Sequence, residues 1–355
     1  MKVSERNYKR IVIKIGSSLF CGQGGNLDFG LIDKLVGQVK TLLEQKKDVV
    51  LVTSGAIALG MSALGIARRP KELSYLQAAA AVGQNELMNV YRKAFKDKGL
   101  NCAQILLTWE DFADRKRYLN AKNTLLTLIK LRTVPIINEN DSISTDEIKF
   151  GDNDKLSALV SGLLGADLLV ILSDVDGLLD KDKNLIRVVE KIDSQIKNLA
   201  RPSDKDTSVG GMITKIEAAE IATGAGTVSI VANGRKENIV LSVVTDDTSD
   251  GTLFVPKKGF IAARKRWIAF GTKPKGKITV DDGAKDALLN NKSLLAVGVI
   301  ASDGNFESGD IVSVIDKDNV EIARGKAGLS FRQLGKFKGF RCDKEVIHRD
   351  NIVVL

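Results

Sequence analysis

Short, unbroken apolar runs alternate with longer segments of helical spacing through the first two thirds of the chain, and few folds accommodate that alternation. Arg10–Ile15, Val49–Thr53, Gln104–Leu107, Thr133–Ile137, Leu168–Leu172 and Val228–Ala232 read as strands. Between them, Leu31–Gln45 places Leu31, Leu35, Val39 and Leu42 on one helical face, and Ile57–Leu64, Leu76–Lys96, Tyr118–Lys130, Lys155–Leu164 and Ile216–Thr223 also read as helices. A strand that is apolar along its whole length is buried on both faces, so the pattern calls for an αβα sandwich with a mainly parallel central sheet. Right-handed crossovers then bring the C-terminal ends of the strands to one edge, where open α/β sheets place their ligands.

The chemistry of the chain gathers at those strand ends. Lys14 closes the first strand beside Gly16-Ser17-Ser18, and the second strand runs into Thr53-Ser54-Gly55-Ala56. Small residues at a strand-to-helix turn let an anion approach backbone N–H groups, although such turns also form for packing alone. Asn138–Asp154, NENDSISTDEIKFGDND, leaves the fourth strand as an acidic and amide-rich stretch. Its residue types suit a solvated turn, but they also supply hard oxygen ligands, partners for lysines and acceptors for an ammonium group. Ser173-Asp174-Val175-Asp176-Gly177 follows the next strand, and Gly210-Gly211-Met212-Ile213-Thr214-Lys215 brings a second lysine to a helix start.

The remaining composition narrows the chemistry further. Of the 355 residues 44% are hydrophobic and 27% charged, with no uninterrupted apolar stretch of membrane-spanning length, and the start moves straight into a strand; a cytoplasmic protein is expected. Cys21, Cys102 and Cys342 lie far apart, and His348 is the single histidine, so neither a zinc site nor a histidine triad is expected. Five of the nine excess positive charges are Lys257, Lys258, Arg264, Lys265 and Arg266, which suits either a solvated linker or a polyanion contact. Beyond them the texture changes to short runs and turns: Trp267–Phe270, Lys277–Val280, Gly283–Leu289, Val297–Ser302, Ile311–Ile315, Glu321–Lys326 and Asn351–Leu355. The expected division is a first domain over 1–256, a basic linker over 257–272 and a small β-rich domain over 273–355. Gly271–Lys277 nearly spells a P-loop, but Ile278 stands where a metal-binding hydroxyl is required, and His348-Arg349-Asp350 comes too near the end of the chain for a protein-kinase catalytic loop.

Two lysines on glycine-rich turns together with Mg²⁺, and an acidic group to hold the lysines near each other, suffice for phosphoryl transfer, which is mostly positioning and charge neutralisation. An acceptor that is already an anion needs no histidine base, and a carboxylate acceptor gives an acyl phosphate.

On IKIGSS at Ile13–Ser18, TSGAIALG at Thr53–Gly60, NEND at Asn138–Asp141, FGDND at Phe150–Asp154, SDVDGL at Ser173–Leu178, GGMITK at Gly210–Lys215 and ANG at Ala232–Gly234, the chain resembles the glutamate 5-kinases of the amino acid kinase superfamily along essentially its whole length. The resemblance implies Mg²⁺- and ATP-dependent phosphorylation of the γ-carboxylate of L-glutamate for proline synthesis. By motif position, Lys14 and Lys215 contact the phosphates and Asp154 holds them. Ser54, Asp141 and Asn153 bind glutamate, supported by Asn138 and Asp152. Ser173, Asp174 and Val209–Lys215 (Val209, Gly210, Gly211, Met212, Ile213, Thr214 and Lys215) line the nucleotide pocket. Val209 and Ser173 depart from the threonines more usual there, and the metal is expected to be carried mainly by the ATP phosphates. The family also implies inhibition by proline, with Trp109–Lys122 as the candidate responsive segment, a homo-oligomer (dimer or tetramer) and coupling to a separate glutamyl phosphate reductase.

The segment after the linker resembles a PUA domain, a module found in RNA-modifying enzymes; RNA stays open as a partner, with a structural or regulatory role favoured. Phe306, Phe331, Phe337 and Phe340 serve a core as readily as a stacking surface. Two other readings remain: a superfamily relative acting on aspartate, N-acetylglutamate, carbamate or UMP, and an RNA-binding protein.

Overall fold

The computed structural model describes residues 6–20, 28–144, 152–200, 211–246, 250–256, 268–269, 274–337 and 345–354. Val209, Gly210, Cys21, Cys342, Phe340, the basic stretch Lys257–Arg266 and residues 145–151 of the acidic stretch lie outside them, as does the side chain of Asp152. The chain divides into two compact units, Met1–Gly259 and Phe260–Leu355.

In the first unit the elements run β1 (Arg10–Ile15), α1 (Ser17–Phe20), α2 (Phe29–Glu44), β2 (Asp48–Thr53), α3 (Ala56–Ala63), α4 (Leu73–Asp97), β3 (Asn101–Leu107), α5 (Trp109–Ala113), α6 (Arg115–Lys130) and β4 (Thr133–Glu139). There follow α7 (Asp152–Leu164), β5 (Leu168–Ser173), β6 (Val188–Val189), α8 (Ser194–Leu199), α9 (Met212–Gly224), β7 (Val228–Asn233), α10 (Ile239–Thr245) and β8 (Thr252–Phe254). One eight-stranded sheet orders them β3-β4-β2-β1-β5-β7-β8-β6. Every neighbouring pair from β3 to β7 is parallel, and β8 pairs antiparallel with β7. The central strands β1, β2 and β5 are buried almost throughout, as their Val-, Ile- and Leu-rich sequences require. Six strand ends therefore share one edge, and Lys14 stands there, in register with Val52 on one side and Ile171 on the other.

Two helices next to that edge are locked by close approach. A Cβ at Gly60 of α3 would lie 1.7 Å from the Ala79 carbonyl oxygen, and one at Gly83 of α4 would lie 1.8 Å from that of Ala56. Only glycine lets the two backbones cross at that separation. Gly55, at φ 103°, makes the left-handed turn that delivers Ser54 to the start of α3. Gln38 of α2 accepts from the Val240 and Leu241 N–H groups at 2.8 and 3.4 Å, supplying the helix α10 with the cap that Asn238 does not provide.

Several expected boundaries differ, two of them at the site. Helix α7 begins at Asp152 rather than Lys155, so Asn153 and Asp154 lie in its first turn and not in a loop. Aspartate and asparagine favour both settings, one through turns and the other through the exposed N–H groups of a helix start. Helix α9 begins at Met212 rather than Ile216, which places Lys215 within its first turn. Of the run Trp267–Phe270, expected as a strand, the two described residues, Ile268 and Ala269, are helical and pack on Ile311 and Val353. Tertiary burial overrides the β-propensity of so short a run.

The second unit holds β9 (Gly276–Val280), α11 (Asp282–Leu289), β10 (Leu294–Leu295), β11 (Val299–Gly304), β12 (Ile311–Ile315), β13 (Glu321–Lys326), α12 (Phe331–Phe337), β14 (Glu345–Ile347) and β15 (Ile352–Val354). A five-stranded sheet orders β11-β9-β12-β13-β15, with β10 and β14 paired separately. Phe306 is core, set edge-on to Phe331 with centroids 5.8 Å apart, and Phe337 packs on the same cluster. Phe306 is fully buried, whereas Phe331 and Phe337 are half-buried against it. Among the described residues no helix is long and apolar enough to cross a membrane.

Candidate active site

The strand edge carries three buried charges in contact. Lys14, Asp154 and Lys215 are 5%, 1% and 6% exposed. Asp154 Oδ1 lies 2.5 Å from Lys14 Nζ, and its other oxygen, Oδ2, lies 3.4 Å from Lys215 Nζ. One comes from β1, one from the first turn of α7 and one from the first turn of α9, so the sheet and two helices converge on a single carboxylate. The Thr214 hydroxyl donates to Asp154 Oδ2 at 2.8 Å, which ties Thr214 to the clamp between the lysines. Two ammonium groups share one carboxylate, and Asp174 sets a second negative charge near Lys215.

Burial works against ionisation of Asp154, yet Lys14, Lys215 and the Thr214 hydroxyl hold its carboxyl below the ordinary aspartate value. Burial pushes the Lys215 ammonium down; Asp154 opposes that shift and Lys14 adds to it. Asp174, at the end of β5, accepts from the hydroxyls of Ser18 at 3.1 Å and Ser173 at 3.0 Å. Partial burial opposes its ionisation, but these bonds and Lys215 keep its carboxyl low. Ser173 thus turns its hydroxyl to Asp174.

Beside the charges lies a ladder of amides. Asn153 Nδ2 shares its two hydrogens among three acceptors, the Thr53 carbonyl at 2.6 Å, Ser54 Oγ at 3.0 Å and Asn138 Oδ1 at 2.8 Å. Asn138 Nδ2 donates in turn to Gln84 Oε1 at 2.8 Å. The Tyr91 hydroxyl meets Thr53 Oγ1 at 2.9 Å beneath the same turn, where burial pushes the phenol above its ordinary value. An open cleft of about 320 Å³ adjoins the ladder, lined by Ala56, Gln84, Glu139, Asn140, Asp141 and Ser142 among others.

Of the residues singled out in the sequence, Lys14, Asp154, Lys215 and Thr214 come together, as do Ser54, Asn138 and Asn153, and Asp141 lines the adjoining cleft. Gly211 precedes α9, where its carbonyl accepts from the Thr214 N–H at 3.2 Å, and Met212 and Ile213 open that helix. Gln84, Tyr91 and Ser18 were not expected. Their signal is faint: Gln84 is one polar position in an alanine-rich helix, and the partners of Gln84 and Tyr91 lie far away along the chain.

Residues 9–233 match the amino acid kinase family, and residues 276–347 match the PUA domain. A glutamate 5-kinase of Thermoanaerobacter sp. (strain X514) is 43% identical over 364 residues, 98% of each chain. That of Caldanaerobacter subterraneus subsp. tengcongensis is 44% identical, again over 98% of both. The chain belongs to the glutamate 5-kinases of the amino acid kinase family. A further member, from Geobacter sp. (strain M21), is 43% identical over 99% of this chain and 98% of its own. The fold is also that of a carbamate kinase from Giardia lamblia bound to AMP-PNP, with a TM-score of 0.50 over 70% of this chain and 98% of that one at 17% identity. Within the glutamate 5-kinase family, this strand edge is thus the candidate active site, and the PUA match falls on the second unit.

Proposed function

We propose that this protein transfers the γ-phosphoryl group of ATP to the γ-carboxylate of L-glutamate, giving L-glutamyl 5-phosphate for proline synthesis. The observation that carries this reading is the buried Lys14–Asp154–Lys215 cluster on the carboxyl edge of the sheet, with the amide ladder next to it. In the reaction a carboxylate oxygen forms a bond to the γ-phosphorus as the bond to the β,γ-bridging oxygen breaks. ADP carries away the electron pair, and no proton need be moved. Charge accumulates on the transferring group and the leaving oxygen, where Lys14 and Lys215 stabilise it. Asp154 holds two like charges together that would otherwise separate. Ser54, Asn153 and Asp141 hold glutamate, with Asn138 and Asp152 supporting them, and Ser173, Asp174 and Val209–Lys215 border the nucleotide.

Mg²⁺ fits this arrangement as an ion brought in on the ATP phosphates. No group of three or more metal-ligating side chains is present among the described residues, and the ionised Asp174 offers it a hard oxygen. The ion would neutralise phosphate charge that the lysines do not reach. Control by proline, assembly into a dimer or tetramer and hand-over of the labile product to a reductase extend the same proposal.

The test is ADP release with Mg²⁺–ATP against L-glutamate, L-aspartate, N-acetylglutamate, carbamate and UMP, with hydroxylamine to trap acyl phosphate. Glutamate-dependent ADP with matching hydroxamate is the expected outcome. Turnover with a different acceptor would retain the lysine roles and overturn those of Asp141 and Asn153.

A further inference from the structure

The amide ladder has a polarity that backbone groups impose. The Glu139 N–H can only donate, and it donates to Asn138 Oδ1 at 2.9 Å. The Thr53 carbonyl can only accept, and it takes Asn153 Nδ2 at 2.6 Å. With Asn138 Oδ1 fixed on that side, Asn138 Nδ2 must face Gln84, which therefore presents its oxygen at 2.8 Å. The Gln84 amide nitrogen is left at the end of the ladder. That nitrogen is buried and has no hydrogen-bond partner among the described residues. Its side chain lines the cleft together with Glu139 and Asp141. A buried donor without an acceptor destabilises the empty protein, and a ligand oxygen placed against it removes that penalty.

The cleft thus offers carboxylates for an ammonium group and one unsatisfied donor for an anion. Neither Lys14 nor Lys215 lines it, so the γ-carboxylate that accepts phosphate lies elsewhere, against the lysines. What remains of glutamate for the Gln84 end is the α-carboxylate. Resting on the glutamate kinase reading above, we propose that Gln84 is a specificity-determining residue whose Nε2 donates to the α-carboxylate of bound glutamate. The ladder from Thr53 through Asn153 and Asn138 holds that donor in place, so the recognised anion and the turn carrying Ser54 are set by one connected network.

The experiment compares kcat/KM for glutamate, 4-aminobutyrate, which lacks the α-carboxylate, and glutarate, which lacks the ammonium. The proteins are the wild type, Gln84→Glu and Gln84→Met. Gln84→Glu keeps an oxygen for Asn138 and replaces the donor with a second oxygen. Gln84→Met removes the donor without adding charge. In both variants the preference for glutamate over 4-aminobutyrate should fall about ten-fold or more, because a lost hydrogen bond to a charged group has that size. The preference over glutarate and the KM for ATP should stay in place. An equal loss on all three substrates is what a purely structural role produces and would overturn the proposal. So would a loss on glutamate and 4-aminobutyrate that spares glutarate, which would put the ammonium at Gln84. A wild type that turns over none of the three but accepts another substrate would remove the glutamate reading itself.

Discussion

Replacing Asp154 by asparagine keeps the size of the side chain and removes the one charge between two buried cations. Lys14 and Lys215 are each less than a tenth exposed, so water cannot take over from the lost carboxylate. Removing one partner of a buried ion pair typically costs about 3–5 kcal/mol. For a folding unit of this size that corresponds to a fall of about 10 °C in melting temperature. Mg²⁺–ATP should restore more stability to the variant than to the wild type, since the phosphates supply the missing negative charge. Turnover should fall by about two to three orders of magnitude, the usual effect of disturbing a preorganised electrostatic site. Lys215, already lowered by burial, loses the partner that opposes that shift and moves lower still. The pH dependence provides the sharpest check. The folded Asp154 carboxyl lies below its ordinary value of 3.8, so its contribution is fully present above that value and is lost as pH falls through the folded one. The stability gap between wild type and variant should therefore hold from neutral pH down to about 4 and close below it. Thermal unfolding of both proteins across that range, with and without Mg²⁺–ATP, measures all of this. A gap unchanged at the acid end, or an unaltered melting temperature at pH 7, would refute the ion cluster as described.

Other substitutions test separate parts of the argument. Lys14→Ala and Lys215→Ala should each lower kcat by about 10²- to 10³-fold in the coupled ADP assay while the fold persists. Gly83→Ala forces a Cβ onto the Ala56 carbonyl and should cost about 1–3 kcal/mol or more in urea unfolding. Gln38→Leu leaves the Val240 and Leu241 N–H groups buried without an acceptor; a loss of about 1–3 kcal/mol is expected, read by hydrogen exchange at the start of α10.

The alternation of apolar runs with helical spacing is visible in the sequence because period and length are local properties, and the strands β1, β2, β4, β5 and β7 follow from it. Boundaries at the site are harder to read. Asp152-Asn153-Asp154 has the composition of a turn, yet those residues begin α7, where acidic and amide side chains are equally at home. Gly60 and Gly83 look like weak points in helical stretches; their close contact depends on how α3 and α4 cross. Thr214, grouped with the nucleotide on motif grounds, bonds to Asp154 because α9 starts four residues earlier than its pattern indicates.

What the sequence by itself determined was the parallel sheet, the edge that bears chemistry and, through its motifs, the kinase family, since each is written in neighbouring residues. Only the tertiary structure decided that one carboxylate would serve Lys14 and Lys215 together, and that Gln84 would end a ladder begun at Thr53. Those contacts join residues far apart in the chain, Lys14 to Asp154 and Thr53 to Asn153 among them. Local pattern carries no record of such pairs, because they are selected by the packing of whole elements around a shared edge.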